Sequence, residues 1–489
     1  MTLQKITIGL LIVLMGACSV QNSAITGQKR MYAYTWQQEV QIGNEADGEI
    51  TAYFGLLDDP EINAYVSGIG ERVLKESHMR REGASSEYVN TPFTFRVLNS
   101  PVVNAFALPG GFNYVTRGLL THMTSEAQLA MVIGHEIGHV AARHASQQAL
   151  SQQAGSLLLI GGAVLGQELL GVPAQNIMEL GGTAAQLLFL KYSRDAERES
   201  DKLGVEYSAL TGYDASQGAA FFTTLKRLSE ASGSSIPAFM SSHPDPGDRE
   251  ADIINKSEQW KADGYPQNEI KQAEFYNKLA GLVIGVNPRE GFVKDNTFYH
   301  PDLAFSFDVP NGWKLINEPS QVVLVAGDQQ AVTIFNIVNA ENITQAIDQI
   351  ANDESVTTIN RNKITVNGLS GMNLRASMVQ EEQNYTFDVT VIEYKNRIYQ
   401  FLSYSLTSTF QNYSNAFGQS SRSYKTVTDS SILNIQPAKI RIVKTDREVV
   451  FKDLLPATMP MGVTAEDMAI LNQVYLDDRI PAGTLLKLL

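Results

Sequence analysis

The sequence predicts a multidomain chain, mainly helical over its first 290 residues and α+β beyond them. Three observations carry that prediction. At 489 residues the chain exceeds what one ordinary hydrophobic core organises, so roughly two to four domains are expected. A content of 44% hydrophobic and 18% charged residues describes a globular protein, not a disordered one. Near residue 291 the texture changes from helix-period apolar stripes to alternating strand-like runs.

The formal charge of −14 argues against nucleic acid as a partner and offers no cationic surface to anionic lipid. The only cysteine is Cys18, so no intrachain disulfide forms. Lys5 precedes an apolar run over 6–15 that ends in Gly16, Ala17 and Cys18. This is a basic n-region, an h-region and small residues before a cleavage point. The run is shorter than the ~20 residues a spanning helix needs. "LMGACS" resembles a bacterial lipobox, with Met15 where leucine is more usual. The resemblance implies a lipoprotein signal peptide over 1–18, lipid on Cys18 and, because Ser19 is not aspartate, outer-membrane sorting. A plain cleaved signal would leave Cys18 incidental.

Residues 19–33 read as a polar linker. From 34 to 77 an apolar stripe predicts helix, interrupted by the "DDPE" turn at 58–61. "SHMRREGASSEYVN" is a polar loop. "FTFRVLNS" and "VVNAFALPGGFNYVTRG" read as strands around a turn at Pro109, Gly110 and Gly111. A long helix starts near Ser125, where Ser125-x-x-Gln128 resembles a capping box. Leu129, Val132, Ile133 and Ile137 suit its burial. The stretch 155–166, "GSLLLIGGAVLG", reads as a buried helical hairpin, ended by Gln167 and Glu168 well short of a span. Helices follow over 183–210 and 215–231, then a Ser/Gly-rich loop and "SSHPDPGDR". Residues 298–432 alternate strand-like runs with a helix near 344–351, an α+β domain, and 437–489 form a last small module.

The long helix carries "GHEIGHVAARHA", in which His135, Glu136 and His139 spell H-E-x-x-H. At about 100° per residue the two histidines lie about 40° apart on one face, where they can hold one zinc ion. Glu136 is adjacent without competing, as a general base for zinc-bound water requires. His144 is about 180° from His135 while the helix continues, and nothing in "VAARHASQQAL" breaks it. It is therefore expected to point away, as a surface or outer-shell histidine. The metzincin pattern needs glycine and histidine where Ala142 and Ala145 stand. Downstream, "YSRDAERESDKLGVEY" offers Asp195, Glu197, Glu199 and Asp201 as further ligands. Glu197 and Asp201 share a face, so one can bind metal while the other orients a histidine. Glu199 is expected to face solvent. Spacing leaves the choice of ligand open.

"NAFALPGGFNYVTRGLL", "HEIGHV", "YSRDAERESD" and "SSHPDPGDR", in that order, resemble the gluzincin family of zinc metallopeptidases containing the CAAX prenyl endopeptidases, HtpX and BepA. The resemblance covers about residues 36–284. It implies a mainly α, zincin-like peptidase domain over 34–290 with a short edge-stranded sheet. One Zn2+ per chain would be held by His135, His139 and Glu197, with Asp201 behind them. Neither the multispanning helices of the prenyl proteases and HtpX nor the helical repeats of BepA are evident, so the soluble lipoprotein branch is implied. In the family Glu136 moves the proton, and backbone from Asn104, Ala105, Phe106 and Ala107 aligns an extended substrate. An ordinary core strand is the alternative for that segment. The H-P-x-x-x-x-R pattern falls on His243, Pro244 and Arg249. His243 would donate to the oxyanion, or bind zinc as a fourth ligand and hold the site closed. A movable loop over "SEASGSSIPAF" would suit the latter.

Residues 298–432 resemble PsbP-like domains, and 437–489 resemble a degenerate LysM module with "KTDREVV" where Gly-Asp-Thr is expected. Peptidoglycan binding and a structural cap are both open for that module. The function implied is a membrane-anchored zinc metalloendopeptidase at the periplasmic face of the outer membrane. Its substrates would be extended, misfolded or unassembled envelope proteins. The alternative is a latched or weakly proteolytic lipoprotein acting as envelope chaperone or scaffold.

Overall fold

The computed structural model describes residues 19–154, 187–188, 190–231, 238–380 and 383–489. The expected signal peptide with Cys18, the stretch 155–166 and most of the Ser/Gly-rich loop lie outside the described residues. Two compact units emerge, one built from Met1–Val286 with Ala438–Leu489, the other from Asn287–Pro437.

Residues 19–33 do not behave as a linker. They form a hairpin of β1 (Ser19–Asn22) and β2 (Lys29–Tyr32), paired antiparallel. Helices α1 (Trp36–Phe54) and α2 (Pro60–Lys75) follow where the apolar stripe placed them. Thr35 caps the first with a full capping box, and Asp59 accepts from two backbone N–H groups of the second. Strands β3 (Thr94–Leu98), β4 (Ala105–Leu108) and β5 (Phe112–Thr116) form a sheet in the order β3-β5-β4. The β4–β5 turn places Gly110 and Gly111 at φ 82° and 102°, which is why two glycines occupy it. β4 is left at the sheet edge.

After the short α3 (Arg117–His122), α4 (Glu126–Ala142) is buried along its whole length. Ser125 caps it by accepting from Gln128 N–H. The helix ends at Ala142, two residues before His144, because Arg143 adopts the left-handed conformation at φ 60°. A separate helix, α5 (His144–Ala154), then begins. The next described helix, α6 (Arg194–Thr211), packs tightly on α4. A Cβ on Gly204 would lie 2.9 Å from His135 N, and one on Gly134 3.1 Å from Gly204 O. These glycines let the two helix backbones close up, which brings the α6 carboxylates to the α4 histidines. Helices α7 (Gln217–Ala231), α8 (Ala238–Ser242), α9 (Arg249–Ala262) and α10 (Gln272–Leu279) complete this part.

The second unit holds a seven-stranded antiparallel sheet, order β12-β13-β14-β15-β11-β10-β9, and a four-stranded one, β16-β8-β7-β6. Their strands are β6 (Phe292–Lys294), β7 (Thr297–His300), β8 (Phe305–Asp308), β9 (Lys314–Asn317), β10 (Gln321–Val325) and β11 (Ala331–Val338). After α11 (Ile343–Ala351) come β12 (Val356–Val366), β13 (Leu369–Gln380), β14 (Gln383–Tyr394) and β15 (Arg397–Leu406). Helix α12 (Phe410–Ser423) and β16 (Lys425–Thr426) close it. Phe298, Phe305, Phe307, Phe335, Phe401 and Tyr424 fill one core, and α11 covers another around Leu374 and Val389.

The last module belongs to the first unit. β17 (Arg441–Lys444) pairs antiparallel with β18 (Leu485–Leu488), flanking a 3-10 turn at Phe451–Leu454 and α13 (Ala465–Leu471). Its Phe451, Met468, Leu471 and Leu486 join the core that contains α4. Lys487 is fully buried and donates from Nζ to Thr121 O and Met123 O, each at 2.7 Å. Gln473 reaches Gln128 at the start of α4. The module thus caps the entry to that helix.

Candidate metal centre

His135 and His139 project from one face of α4, and their Nε2 atoms stand 3.0 Å apart. Glu197 from α6 completes the approach, with Oε2 3.5 Å from His135 Nε2 and Oε1 3.4 Å from His139 Nε2. His243, just past α8, brings Nδ1 to 3.1 Å from Glu197 Oε1 and 3.3 Å from His135 Nε2. All four are buried, and one donor atom from each lies within 4.8 Å of all the others. Four donors around a tetrahedral zinc at its usual bond lengths stand about 3.3 Å or slightly more apart. The separations, 3.0–3.5 Å with Glu197 turning a different oxygen to His135 and to His139, lie near that figure, and an imidazole and carboxylate set suits zinc.

Orientation comes from behind. His135 Nδ1 donates to Asp201 Oδ1 at 2.9 Å, which turns its Nε2 lone pair inward. Arg249 donates to Asp201 Oδ1 at 2.6 Å and to Glu197 Oε2 at 3.2 Å, with its guanidinium 3.8 Å from the Phe222 ring centre. Asp201 and Arg249 therefore hold the His135 and Glu197 side chains in place. Two aromatic rings frame the site: Tyr192 stacks on His139 at 4.0 Å, and Phe239 stacks on His243 at 4.5 Å. Neither ring is given a role by the sequence reading, although Tyr192 opens the "YSRDAERESD" stretch.

Electrostatics divides the group. Burial holds His139 well below its ordinary value, leaving a neutral ring able to bind metal. Burial alone would raise Glu197, but His243, His139 and His135 outweigh it and keep the carboxylate charged. Burial raises the Glu136 carboxyl, and neither of its oxygens has a hydrogen-bond partner among the described residues. His243 Nε2 is likewise unpartnered there and faces Glu136 Oε1 at 3.6 Å.

Two expectations need correction. His144 does not point away. The helix break at Arg143 turns it back, so its Nδ1 lies 3.0 Å from His139 Nδ1 and the ring is buried. Nor does Glu199 simply face solvent, since its Oε2 accepts from His144 Nε2 at 3.1 Å.

The segment 104–107, expected to align substrate, forms β4 from Ala105 onward. Asn104 directs its C=O to Thr116 N–H and its N–H to Thr116 Oγ1, so its backbone is occupied by β5. By strand alternation, Ala105 and Ala107 turn their backbone groups away from β5, Ala105 fully buried and Ala107 partly so. Phe106 packs its ring on Tyr114 at 4.8 Å. Just before β4, Val103 O accepts from Phe239 N–H at 3.3 Å, which ties the strand to the segment leading to His243.

With this geometry in view, residues 71–256 match the pattern described as "Peptidase family M48". Residues 71–256 belong to peptidase family M48. That M48 stretch includes α4, α6, His243 and Arg249. The chain is 31% identical over 229 residues to the beta-barrel assembly-enhancing protease of Escherichia coli K12, covering 46% of this chain and 45% of that protein. It is 31% identical over 223 residues to the mitochondrial metalloendopeptidase OMA1 of Arabidopsis thaliana, covering 45% and 38%. The chain thus spans less than half the length of these relatives. Among solved structures, cyanobacterial PsbP from Synechocystis sp. PCC 6803 overlaps 27% of this chain and 91% of its own, at 12% identity and TM-score 0.23.

Proposed function

We propose that the chain is a zinc metalloendopeptidase that cleaves extended, misfolded or unassembled proteins of the bacterial envelope. The observation that supports this most is the convergence of His135, His139 and Glu197 on one point, with the unpartnered Glu136 carboxylate beside it. Zinc held there supplies Lewis acidity, which polarises a peptide carbonyl and acidifies water. Glu136 takes the proton of the attacking water and returns it to the leaving amine; burial, by raising its pKa, suits it to both. Ala105 and Ala107 pair with extended substrate along the β4 edge, aligning the scissile bond. Asp201 and Arg249 hold His135 and Glu197 in place. The name of the Escherichia coli relative, beta-barrel assembly-enhancing protease, supports an envelope substrate. Lipid on Cys18 would anchor the protein at the periplasmic face of the outer membrane.

A second reading rests on His243. Its Nδ1 sits among the donors, so as a fourth ligand it would keep the site closed, and the protein would act as a latched envelope chaperone or scaffold. In the open enzyme the same ring would donate to the tetrahedral oxyanion.

Zinc content and cleavage of an unfolded protein test the first reading. Wild type should hold one zinc per chain and lose cleavage to a chelator. Glu136→Gln should keep the zinc and lose turnover by about 10²–10⁴-fold. Cleavage indifferent to both chelator and substitution overturns the mechanism. His243→Ala decides between the readings: faster cleavage marks a latch, slower cleavage an oxyanion donor.

A further inference from the structure

His144 and Glu199 lie outside the four-donor cluster, and nothing in the mechanism above uses them. They form a continuous chain leading outward from His139. His144 Nδ1 lies 3.0 Å from His139 Nδ1, and His144 Nε2 lies 3.1 Å from Glu199 Oε2. Ser200 Oγ also reaches His144 Nδ1, at 3.3 Å. Arg30 of the N-terminal hairpin stands 4.0 Å from Glu199 Oε2. The His139 and His144 rings meet edge-on, with centroids 5.0 Å apart.

Hydrogen placement follows from donor and acceptor chemistry. A carboxylate only accepts, so the His144 nitrogen facing Glu199 carries the hydrogen. A neutral imidazole has a single N–H, which leaves His144 Nδ1 as an acceptor. His139 Nδ1 must then be the donor across the 3.0 Å contact, and His139 Nε2 carries the lone pair. Nε2 is the atom that faces His135 and Glu197. His135 reaches the same tautomer by a shorter route, through Asp201 and Arg249. The two ligand histidines are thus each fixed by a carboxylate with an arginine near it, one directly and one through an intervening imidazole.

We propose that His144 and Glu199 are positioning residues that lock the tautomer of His139 so that its Nε2 is presented to zinc. This rests on reading the cluster as a zinc site. The helix break at Arg143 is what makes the arrangement possible, since an unbroken helix would carry His144 to the opposite side.

The test uses the full chain with ¹⁵N-labelled histidine, comparing wild type, His144→Phe and His144→Asn. Zinc affinity is measured by chelator competition, and the His139 tautomer is read by imidazole ¹⁵N shifts in the zinc-free protein. His144→Phe should weaken zinc binding by about 10–100-fold and leave His139 as a mixture of tautomers. In His144→Asn the new amide oxygen would still accept from His139, so this variant should restore the tautomer and most of the affinity. Unchanged affinity and tautomer in His144→Phe overturn the proposal. Equal losses in both variants overturn it too, by showing that the ring only fills space. A wild type that takes up no zinc removes the zinc reading itself, a result separable from either.

Discussion

Among the described residues, Asn287–Pro437 buries polar side chains only as Ser, Thr and Gln, while the other unit buries Asp, Glu, His, Arg and Lys as well. The contrast separates two ways of using an interior. The β-rich unit fills its core with phenylalanines and tyrosines, whose burial is favourable wherever they fit. The M48-bearing unit encloses charges that are costly to desolvate, and it pairs them: Arg143 with Glu39, Arg249 with Asp201 and Glu197, Arg72 and Lys271 with Glu126. Lys487 meets backbone carbonyls, and burial holds it well below its ordinary value. Groups buried and oriented in this way can do chemistry; a core of rings and hydroxyls supports a scaffold.

The sharpest way to expose this difference is to break a buried pair. Arg249→Ala leaves Asp201 and Glu197 without their shared cation and should destabilise the M48-bearing unit by about 3–5 kcal/mol. Hydrogen exchange should show the loss in α4 and α6 and leave β13–β15 unchanged. Acid comes next. Burial of His122 lowers its pKa from 6.5 to about 4, so its folded state resists protonation more than the unfolded chain does. Its contribution is fully present above pH 6.5 and is lost as pH falls through about 4, amounting to at most about 3 kcal/mol. Denaturant titrations at pH 7 and pH 4 should show that loss in wild type and a smaller one in His122→Gln.

Removing metal should have a slightly smaller effect. Free zinc at about 100 times its dissociation constant stabilises the folded site by about 2.7 kcal/mol, so a chelator should lower protection in α4 and α6 and spare the β-rich unit. Ile392→Val, in the ring-packed core, should cost only about 0.5–1.5 kcal/mol and leave zinc content unchanged. A zinc loss in that variant would break the division between the units.

Local periodicity made much of the site legible. His135, Glu136 and His139 follow from a four-residue helical repeat, and the pairing of Glu197 with Asp201 follows from another. The capped start of α4 at Ser125 was also readable, since a cap is a local hydrogen bond. His144 was misplaced because the break before it has no local mark. Left-handed positions usually carry glycine, yet Arg143 adopts one at φ 60°. What holds it there is distant in sequence: Glu39 accepts from its Nε at 2.8 Å, Tyr34 O accepts from Nη2 at 2.7 Å, and the Tyr32 ring lies 3.8 Å from the guanidinium. Those same contacts turn the expected linker into a docked hairpin.

The sequence by itself determined which residue types could meet a metal and on which helix faces they lie, because a helix converts spacing into direction over a few residues. Only the tertiary structure decided that α4 and α6 approach closely enough for Glu197 to complete the set. It also decided that His243 joins them, and that His144 and Glu199 stand behind His139. Those outcomes depend on glycine contacts and buried ion pairs between segments up to about a hundred residues apart. A single strand of sequence records no such distances.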